Sequence, residues 1–232
     1  MFNFKRLAGD FVSVLFPDCC NACGEELYHG ENQICINCLF DLPFTDFQYY
    51  PDNAVAKLFW GRIHCDHAMA MLYFKKANRV QKLIHKIKYQ AKTDLGFTLG
   101  TMLGDRLLKA PDYAGAEVVI PVPLHQKKEK ARGYNQCKCI ADGIAYSLQI
   151  PVQTGVLVRQ VATSSQTKKS RYSRFESMQA VFKVAEPATL YRKHVILVDD
   201  VVTTGATLEA CGQILLDSGI SKLSIVALAY TV

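Results

Sequence analysis

Apolar and polar residues follow two different patterns along the chain. Short, mainly apolar runs lie at 68–74, 117–122, 155–159, 195–198 and 223–229. The run at 195–198 reads Val-Ile-Leu-Val, and its length and β-branched content are typical of a strand that is buried on both faces. We therefore expect strands that lie inside a covered sheet.

Between these runs, apolar residues recur at intervals of three and four, which is the period of a helix that packs on one face. The stripes consist of Val80, Leu83, Ile84 and Ile87; of Leu95, Leu99, Met102, Leu103 and Leu107; of Ile140, Ile144 and Leu148; and of Leu208, Cys211, Ile214 and Leu215. Alternating strands and helices predict an α/β fold, with a mainly parallel sheet and helices on both faces.

A further stripe at the start of the chain predicts a packing helix. It contains Phe4, Leu7, Phe11 and Leu15. Because Asp10 interrupts the stripe and no small-residue cleavage site follows, a signal peptide is the less favoured interpretation.

Length and composition limit the class of protein. A chain of 232 residues can bury one substantial core and carry a small appendage, and an apolar content of 50% is ordinary for a globular protein. No apolar run approaches the roughly 20 residues that span a membrane. Nine cysteines in a chain without an export signal argue against a disulfide framework, so we expect a cytosolic protein.

Four of the cysteines form two Cys-x-x-Cys knuckles. Cys20 and Cys23 make the first, and Cys35 and Cys38 make the second after eleven intervening residues. Four thiolates supply the tetrahedral shell of a structural zinc site and leave no position open for catalysis. Cys19 has the less suitable spacing, and a redox Cys-x-x-Cys motif would be single.

A second group of metal-ligand residue types lies at His64, Cys65, Asp66 and His67. It directly precedes a predicted strand, in which neighbouring side chains point to opposite faces. We therefore do not expect these residues to share a metal ion.

The most informative segment follows the apolar run at 195–198. Two carboxylates come first, and a loop of small and hydroxyl residues then leads into a helix; the segment consists of Asp199, Asp200, Val201, Val202, Thr203, Thr204, Gly205, Ala206 and Thr207. Backbone N–H groups at a helix start suit a phosphate, and two acceptor-only carboxylates beside it suit the vicinal hydroxyls of a ribose. Ligands of open α/β sheets bind at this end of the strands. The simpler interpretation is an ordinary turn between a strand and a helix, but such a turn does not require two acids and three threonines. The loop is neither a Walker motif nor a dinucleotide fingerprint.

The net charge of +6 is unevenly distributed. Residues 121–194 contain thirteen Lys and Arg against four acids, an excess of nine. Such a segment suits a polyanion, either a pyrophosphate or a nucleic-acid backbone, although a solvated basic surface is the alternative.

The segment 199–207 resembles the phosphoribosyl-pyrophosphate (PRPP) signature of type I phosphoribosyltransferases. Together with the two knuckles, Pro-Val-Pro-Leu-His at 121–125 and Arg-Gly-Tyr-Asn-Gln at 132–136, it resembles the ComF/GntX family over nearly the whole chain. Thr163, Gln166, Arg174 and Phe182 also fit that family, whereas Ser177 stands where Asn is common.

The resemblance implies a type I phosphoribosyltransferase core, a small hood and an N-terminal zinc finger. It divides the chain into 1–45 (N-terminal helix and zinc module), 46–110 (connector, hood and first strand–helix units) and 111–232 (core). Asp199 and Asp200 would hold the ribose hydroxyls, and 203–207 would hold the 5-phosphate. The diphosphate would meet basic or loop residues drawn from Pro121, Val122, Pro123, Arg132, Lys168, Lys169 and Arg171.

Two functions follow from this resemblance. The first is a Mg²⁺-dependent enzyme that transfers phosphoribosyl from PRPP to an acceptor that the sequence does not identify. The second is a protein that handles single-stranded DNA with the DNA-uptake machinery and uses the same pocket only as a sensor or scaffold. Tyr134, Tyr172 and Phe175 are the aromatic residues near the basic segment, and they are not regularly interleaved with it.

Overall fold

A computed structural model describes residues 17–159 and 181–232 of the chain. Its strands are β1 (His67–Phe74), β2 (Val118–Pro121), β3 (Leu157–Arg159), β4 (Phe182–Val184), β5 (His194–Val202) and β6 (Lys222–Thr231). Its α-helices are α1 (Ile36–Phe40), α2 (Ala54–Lys57), α3 (Arg79–Tyr89), α4 (Thr93–Leu107), α5 (Gln126–Arg132), α6 (Gln136–Leu148) and α7 (Ala206–Asp217). The predicted helix at the start of the chain lies outside the described residues.

Four of the strands form one parallel sheet in the order β1-β6-β5-β2. β5 pairs with β6 from His194 opposite Lys222 to Val202 opposite Tyr230, and with β2 along its first half. Because all four strands are parallel, their carboxyl ends meet at one edge of the sheet. That edge is where the fold can place a ligand site.

Alternate residues of these strands enter two separate cores. One face packs against α3, α4 and α6 and receives Met69, Met71, Ile196, Val198, Val226 and Leu228. The other face packs against α7 and the segment around Phe59, and it receives Ala68, Ala70, Val195, Leu197, Ile225 and Ala227. The structure confirms the predicted α/β class, with a parallel sheet that is covered on both faces.

The predicted strand at 155–159 belongs to a different sheet. β3 pairs antiparallel with β4, from Leu157 opposite Val184 to Arg159 opposite Phe182. Only Val152, which lies before it, forms a parallel bridge with Val119 at the edge of the main sheet. The expectation that this run continues the parallel sheet was wrong, because an apolar run shows that a strand forms but not which strand it pairs with.

Helices α4 and α6 approach each other closely at glycines. A methyl group on Gly100 would collide with the backbone of Ile140, and one on Gly143 would lie 2.6 Å from the nitrogen of Thr101. Gly96 and Gly104 lie one turn either side of Gly100 on α4 and also face α6. These glycines let the backbones of α4 and α6 pack in direct contact.

The connector before β1 is held by side chains that bind the strand. Thr45 donates a hydrogen bond from its hydroxyl to the carbonyl of Ala70, and Asn53 donates from its amide to the carbonyl of Ala68 at 2.7 Å. The oxygen of Asn53 also accepts from the first backbone N–H groups of α2. The connector is therefore packed against the sheet, as its prolines and aromatic residues predicted. Within the part of the chain that the structure describes, no helix has both the length and the apolar character needed to cross a bilayer.

Candidate functional site

The two carboxylates of the signature lie inside β5 rather than after it. The strand was expected to end at Val198, but Asp199, Val201 and Val202 continue to pair with Ala227, Ala229 and Tyr230 of β6. β6 extends beside β5 to Thr231, so the ladder goes on past the two acids. The acids therefore have fixed backbone positions, and alternation along the strand gives their side chains different surroundings.

Asp200 is buried and held by two side chains from different helices. Lys88, at the end of α3, places its ammonium 2.8 Å from Oδ1, and Gln136, at the start of α6, donates from Nε2 to Oδ2 at 2.8 Å. The oxygen of Gln136 in turn accepts from the guanidinium of Arg132. A buried carboxylate requires such partners, and here Gln136 also links it, through Arg132, to the basic segment after β2.

Asp199 has a neutral partner. Its Oδ1 accepts from the thiol of Cys137, at 3.3 Å, and from the backbone N–H of Asp200, at 2.8 Å. Burial, together with the nearby charge of Asp200, raises the pKa of Asp199 to about 6. Burial and the two carboxylates also raise the pKa of the Cys137 thiol well above its ordinary value, so this thiol acts as a donor rather than as a thiolate.

The loop after β5 forms a small polar cavity at the start of α7. The cavity has a volume of about 50 Å³ and is bordered by Asp199 and the whole segment 201–208. Gly205 precedes α7 with a φ of +74°, and a side chain there would lie 3.0 Å from the ring of Phe59. The positive end of the helix dipole and the hydroxyls of Thr203, Thr204 and Thr207 suit an anion.

Arg62 fixes this loop from the connector. Its guanidinium donates to the carbonyl of Thr204 at 2.9 Å and forms an ion pair with the buried Glu209 of α7. The loop is thus held from outside as well as by its own helix. Such pre-organisation reduces the cost of ordering it around a ligand.

The loop after β2 borders a larger cavity on the other side of β5. The cavity has a volume of about 320 Å³, and Pro121 and Pro123 line it together with Asn135, Lys138 and Arg159. Val122 is buried, donates its N–H to the carbonyl of Val198 and accepts from the side chain of Asn135. The polar groups at the rim suit the diphosphate that was predicted here.

Arg132 does not border the cavity of Pro121 and Pro123. It lines a different pocket, with its guanidinium 5.3 Å from the ring centre of Tyr89. The other basic residues that were expected near the diphosphate, Lys168, Lys169 and Arg171, lie outside the described residues.

Three residues that contact the site were not predicted, namely Lys88 and Cys137 beside the acids and Arg62 beside the loop. Lys88 is one of three lysines in α3, and nothing in the sequence separates it from Lys82 or Lys86. Gln136, by contrast, belongs to the quoted Arg-Gly-Tyr-Asn-Gln motif, which comes immediately before Cys137. That motif was the one available signal that this helix start reaches the site.

The four predicted cysteine ligands come together. The sulfur atoms of Cys20, Cys23, Cys35 and Cys38 all lie within 4.8 Å of one another, and those of Cys23 and Cys35 are 3.8 Å apart. Zinc–sulfur bonds of about 2.3 Å in a tetrahedron require sulfur–sulfur distances near this value. The donor set and its spacing therefore fit a four-coordinate metal ion.

Backbone N–H groups also point at the first sulfur of this cluster. Cys20 accepts from the backbone of Ala22 at 3.4 Å and of Cys35 at 3.3 Å. Although burial acts in the opposite direction, these bonds lower the pKa of Cys20 to about 6, which favours the thiolate that a metal ion binds. Cys19 is exposed and is not part of the cluster.

The residues 64–67 do not form a metal-ligand cluster in the described part of the chain. His64 lies 3.9 Å from Asp66, whereas His67, the first residue of β1, faces Asp112 at 3.7 Å. Two neighbouring histidines with different carboxylate partners cannot share one ion in this arrangement.

Comparison with known proteins defines the class first. A phosphoribosyl transferase domain matches residues 135–231, a segment that contains α6, β5, the signature loop and β6. Solved structures with similar folds include the glutamine PRPP amidotransferase of B. subtilis, at 19% identity with a TM-score of 0.44 over 62% of this chain and 30% of that one. Adenine phosphoribosyltransferase of Saccharomyces cerevisiae is similar at 13% identity with a TM-score of 0.37, over 60% of this chain and 69% of that one.

Curated relatives then identify the family. Competence protein F of Haemophilus influenzae is 28% identical over 214 residues, which are 90% of this chain and 83% of that protein. DNA utilization protein YhgH of Escherichia coli (strain K12) is 28% identical over 152 residues, which are 64% of this chain and 66% of that protein. The chain belongs to the ComF/YhgH family of proteins with a phosphoribosyltransferase domain, and it carries the four-cysteine cluster in its N-terminal part.

Proposed function

We propose that this chain binds PRPP and transfers its phosphoribosyl group to an acceptor. The observation that carries the proposal is the position of Asp199 and Asp200 beside the 203–207 loop and the start of α7. The loop would hold the 5-phosphate, and the two carboxylates would accept hydrogen bonds from the ribose hydroxyls. The family match supports the same site, because the matched segment contains all of these residues.

The transfer replaces one bond at C1 of the ribose with another. The lone pair of an acceptor nitrogen forms a bond to C1 of the ribose while the bond from C1 to the diphosphate oxygen breaks. Diphosphate leaves with the electron pair, and the nitrogen releases its proton to solvent. Negative charge grows on the leaving diphosphate, so polar groups beside Pro121, Val122 and Pro123 would act where charge develops.

Mg²⁺ would neutralise the diphosphate when it is bound. The carboxylate oxygens of Asp199 and Asp200 suit that ion, but the thiol of Cys137 beside them does not. We therefore expect Mg²⁺ to be held mainly by PRPP oxygens and water, in keeping with its preference for retaining water ligands.

We further propose that the four-cysteine cluster binds Zn²⁺ in a structural role. Four sulfur ligands complete its coordination and leave no open position for a substrate. The cluster contacts α3, since Lys86 donates to the side chain of Asn21 between the first two cysteines. Through this contact, the cluster supports α3, which is the helix that carries Lys88.

Isothermal titration with PRPP and Mg²⁺ tests the site. The wild-type chain should bind, the double variant Asp199→Asn/Asp200→Asn should lose at least about tenfold in affinity, and Asp217→Asn should bind like wild type. Asp217 is a suitable control because it is an exposed carboxylate at the far end of α7. A wild-type chain that does not bind PRPP ends the proposal.

A second function has its own support. Curated relatives are called competence and DNA utilization proteins, and α5 presents Lys127, Lys128 and Lys130 on the surface. Such a helix can contact the phosphates of single-stranded DNA. The chain would then use its PRPP site as a sensor or scaffold.

Fluorescence anisotropy with a labelled single-stranded oligonucleotide separates the two functions. Under the DNA-handling function, affinity falls steeply with salt and weakens in Lys127→Gln/Lys130→Gln, while PRPP binding is unchanged. If the oligonucleotide does not bind at low salt, this second function is excluded. Release of diphosphate from PRPP with an added acceptor would favour the enzyme.

A further inference from the structure

A pocket with basic and aromatic walls includes Lys88, the residue that forms an ion pair with Asp200. It lies between the end of α3 and the segment after β2, has a volume of about 370 Å³, and is lined chiefly by Lys88, Tyr89, Gln90, Lys128, Arg132 and Tyr134. We call it the Tyr89 pocket. Its volume lies in the range of small-molecule sites, which is about 300–1,000 Å³.

We propose that the Tyr89 pocket binds the acceptor and that the acceptor is a planar molecule with a carboxylate. The inference rests on the proposed phosphoribosyl transfer and specifies its second substrate. Three independent features of the pocket carry it: its connection to Asp200, its charge and its flat walls.

The connection to Asp200 is made by Lys88. Its ammonium lines the pocket and also lies 2.8 Å from Oδ1 of Asp200. A molecule in the pocket is therefore separated by one side chain from the carboxylate that we assign to the ribose. The 5-phosphate cavity is bordered by Asp199, whereas Asp200 contacts the Tyr89 pocket through Lys88. A ribose held by the two acids would then lie between the phosphate and the acceptor, as the reaction requires.

The charge of the pocket selects an anion. Lys88, Lys128 and Arg132 line it, and no acidic residue is among the described residues of its wall. Asp200 already forms an ion pair with Lys88, so Lys128 and Arg132 are the cations that remain for a ligand. A neutral purine or pyrimidine would not pair with these cations, whereas a carboxylate would.

The flat walls of the pocket favour a ligand with a planar ring. Tyr89 is 67% exposed and carries the guanidinium of Arg132 over its ring. Tyr134 lines the pocket and is anchored by its hydroxyl, which donates to the carbonyl of Ile87 at the end of α3. Aromatic rings and guanidinium planes stack well on a conjugated ring. A diphosphate gains nothing from such walls, and a separate cavity beside Pro121 and Pro123 is available for it.

A pair of probes isolates the role of the carboxylate. Orotate and uracil have the same ring and differ by one carboxylate group. Calorimetric titration of the full chain, first saturated with ribose 5-phosphate and Mg²⁺ so that no transfer can occur, should show that orotate binds at least about tenfold more tightly than uracil. Equal affinity, or no binding of either probe, overturns the inference.

Substitutions then assign the preference to the pocket. Lys128→Gln should reduce the orotate preference by about three- to tenfold, with PRPP affinity within twofold of wild type. Arg132→Gln should reduce the orotate preference to a similar extent, and it also removes the hydrogen bond to Gln136, the residue that holds Asp200. Lys130→Gln is the matched control, since Lys130 lies on the same helix and does not line the pocket. Should PRPP affinity fall together with orotate affinity in both variants, the pocket holds the diphosphate and the inference is wrong.

The same titrations distinguish this inference from the proposed function. If PRPP itself does not bind the wild-type chain, the proposed function fails. If PRPP binds but orotate and uracil do not differ, only the acceptor assignment fails. Competition of orotate by a single-stranded oligonucleotide, lost in Lys128→Gln, would instead assign the pocket to nucleic acid and overturn the inference.

Discussion

The carboxyl group of Asp199 lies against the carboxyl group of Asp200 and the thiol of Cys137. Burial and the charge of Asp200 raise its pKa to about 6, above the ordinary value of 3.8. The folded chain therefore binds this proton more tightly than the unfolded chain does. The contribution of Asp199 to stability therefore falls as the pH rises from 3.8 to about 6, and the loss is complete above that range.

Asp199→Asn should remove this pH-dependent loss. At pH 7 we expect the variant to be more stable than wild type by on the order of 1–2 kcal/mol, with the difference vanishing near pH 4. The amide oxygen of Asn can still accept from Cys137 and from the backbone of Asp200. Urea unfolding between pH 4 and 8 measures the difference, with Asp217→Asn as an exposed control. A variant that is less stable than wild type at pH 7 would contradict the prediction.

Lys88 and Asp200 make a second prediction at the residue scale. Lys88→Met leaves the buried carboxylate with Gln136 as its remaining side-chain partner among the described residues, and it should destabilise the fold by about 1–2 kcal/mol. The double variant Lys88→Met/Asp200→Asn should recover most of the loss, because no uncompensated charge remains.

Lys82→Met provides the control for this cycle. Lys82 lies on the same helix and is exposed, so its removal should change stability by less than about 0.5 kcal/mol. If the Lys88 and Asp200 substitutions are additive in urea unfolding, the ion pair contributes nothing to stability.

These residues also show what sequence can identify at this scale. Asp199 and Asp200 were predicted because two adjacent acids after an apolar run are unusual. Lys88 could not be predicted, because its partner Asp200 is more than a hundred residues away in the chain. Its importance depends on where α3 ends relative to β5, and α3 has several similar lysines.

Among the elements, α4 and α6 depend on glycine for their close contact. A methyl group on Gly143 would meet the backbone of α4, which cannot move without shifting the whole helix. Gly143→Ala should therefore cost about 2–3 kcal/mol despite the better helix propensity of alanine. Chemical denaturation measures this loss.

Gly96→Ala is the graded comparison for that prediction. Its methyl group would lie 3.0 Å from the Cβ of Cys139, a contact that a shift of a few tenths of an ångström between α4 and α6 can relieve. We expect a loss of about 1 kcal/mol or less. Equal effects of the two substitutions would show that the helices separate easily.

The element that carries the signature was predicted in type but not in length. The apolar run at 195–198 indicated a buried strand, yet the strand extends through the acids to Val202. The strand was expected to end where polar residues begin, at Asp199. Its pairing with β6 instead continues to Val202. Only the structure shows that a side chain at Gly205 would be disfavoured both by its φ of +74° and by the nearby ring of Phe59.

For the molecule as a whole, the four-cysteine cluster joins the N-terminal part to the sheet. We expect the purified chain to contain one equivalent of zinc, and Cys20→Ser/Cys35→Ser to lose it, because two oxygen ligands replace two of the four thiolates. Metal analysis by mass spectrometry gives the stoichiometry.

Cys19→Ser is the matched control for zinc, since Cys19 is adjacent in sequence but exposed and outside the cluster. It should retain the full equivalent of metal. Unchanged zinc in Cys20→Ser/Cys35→Ser would contradict the assignment. Weaker PRPP binding in that double variant would show that the cluster also supports the site through α3.

The sequence by itself determined the features that are encoded locally. The period of apolar residues predicted the strands and helices, the spacing of four cysteines predicted that these residues come together, and residues 199–207 predicted a phosphate and ribose site. Each of these signals lies within a few dozen residues, where backbone geometry leaves few arrangements.

Only the tertiary structure decided which distant residues meet. It paired β3 with β4, extended β5 beside β6, brought Lys88 and Gln136 to Asp200, and formed the Tyr89 pocket from two separate segments. The physical reason is that these contacts depend on strand order and on how closely helices pack. Both properties arise from the sum of all burial in the core rather than from any local pattern.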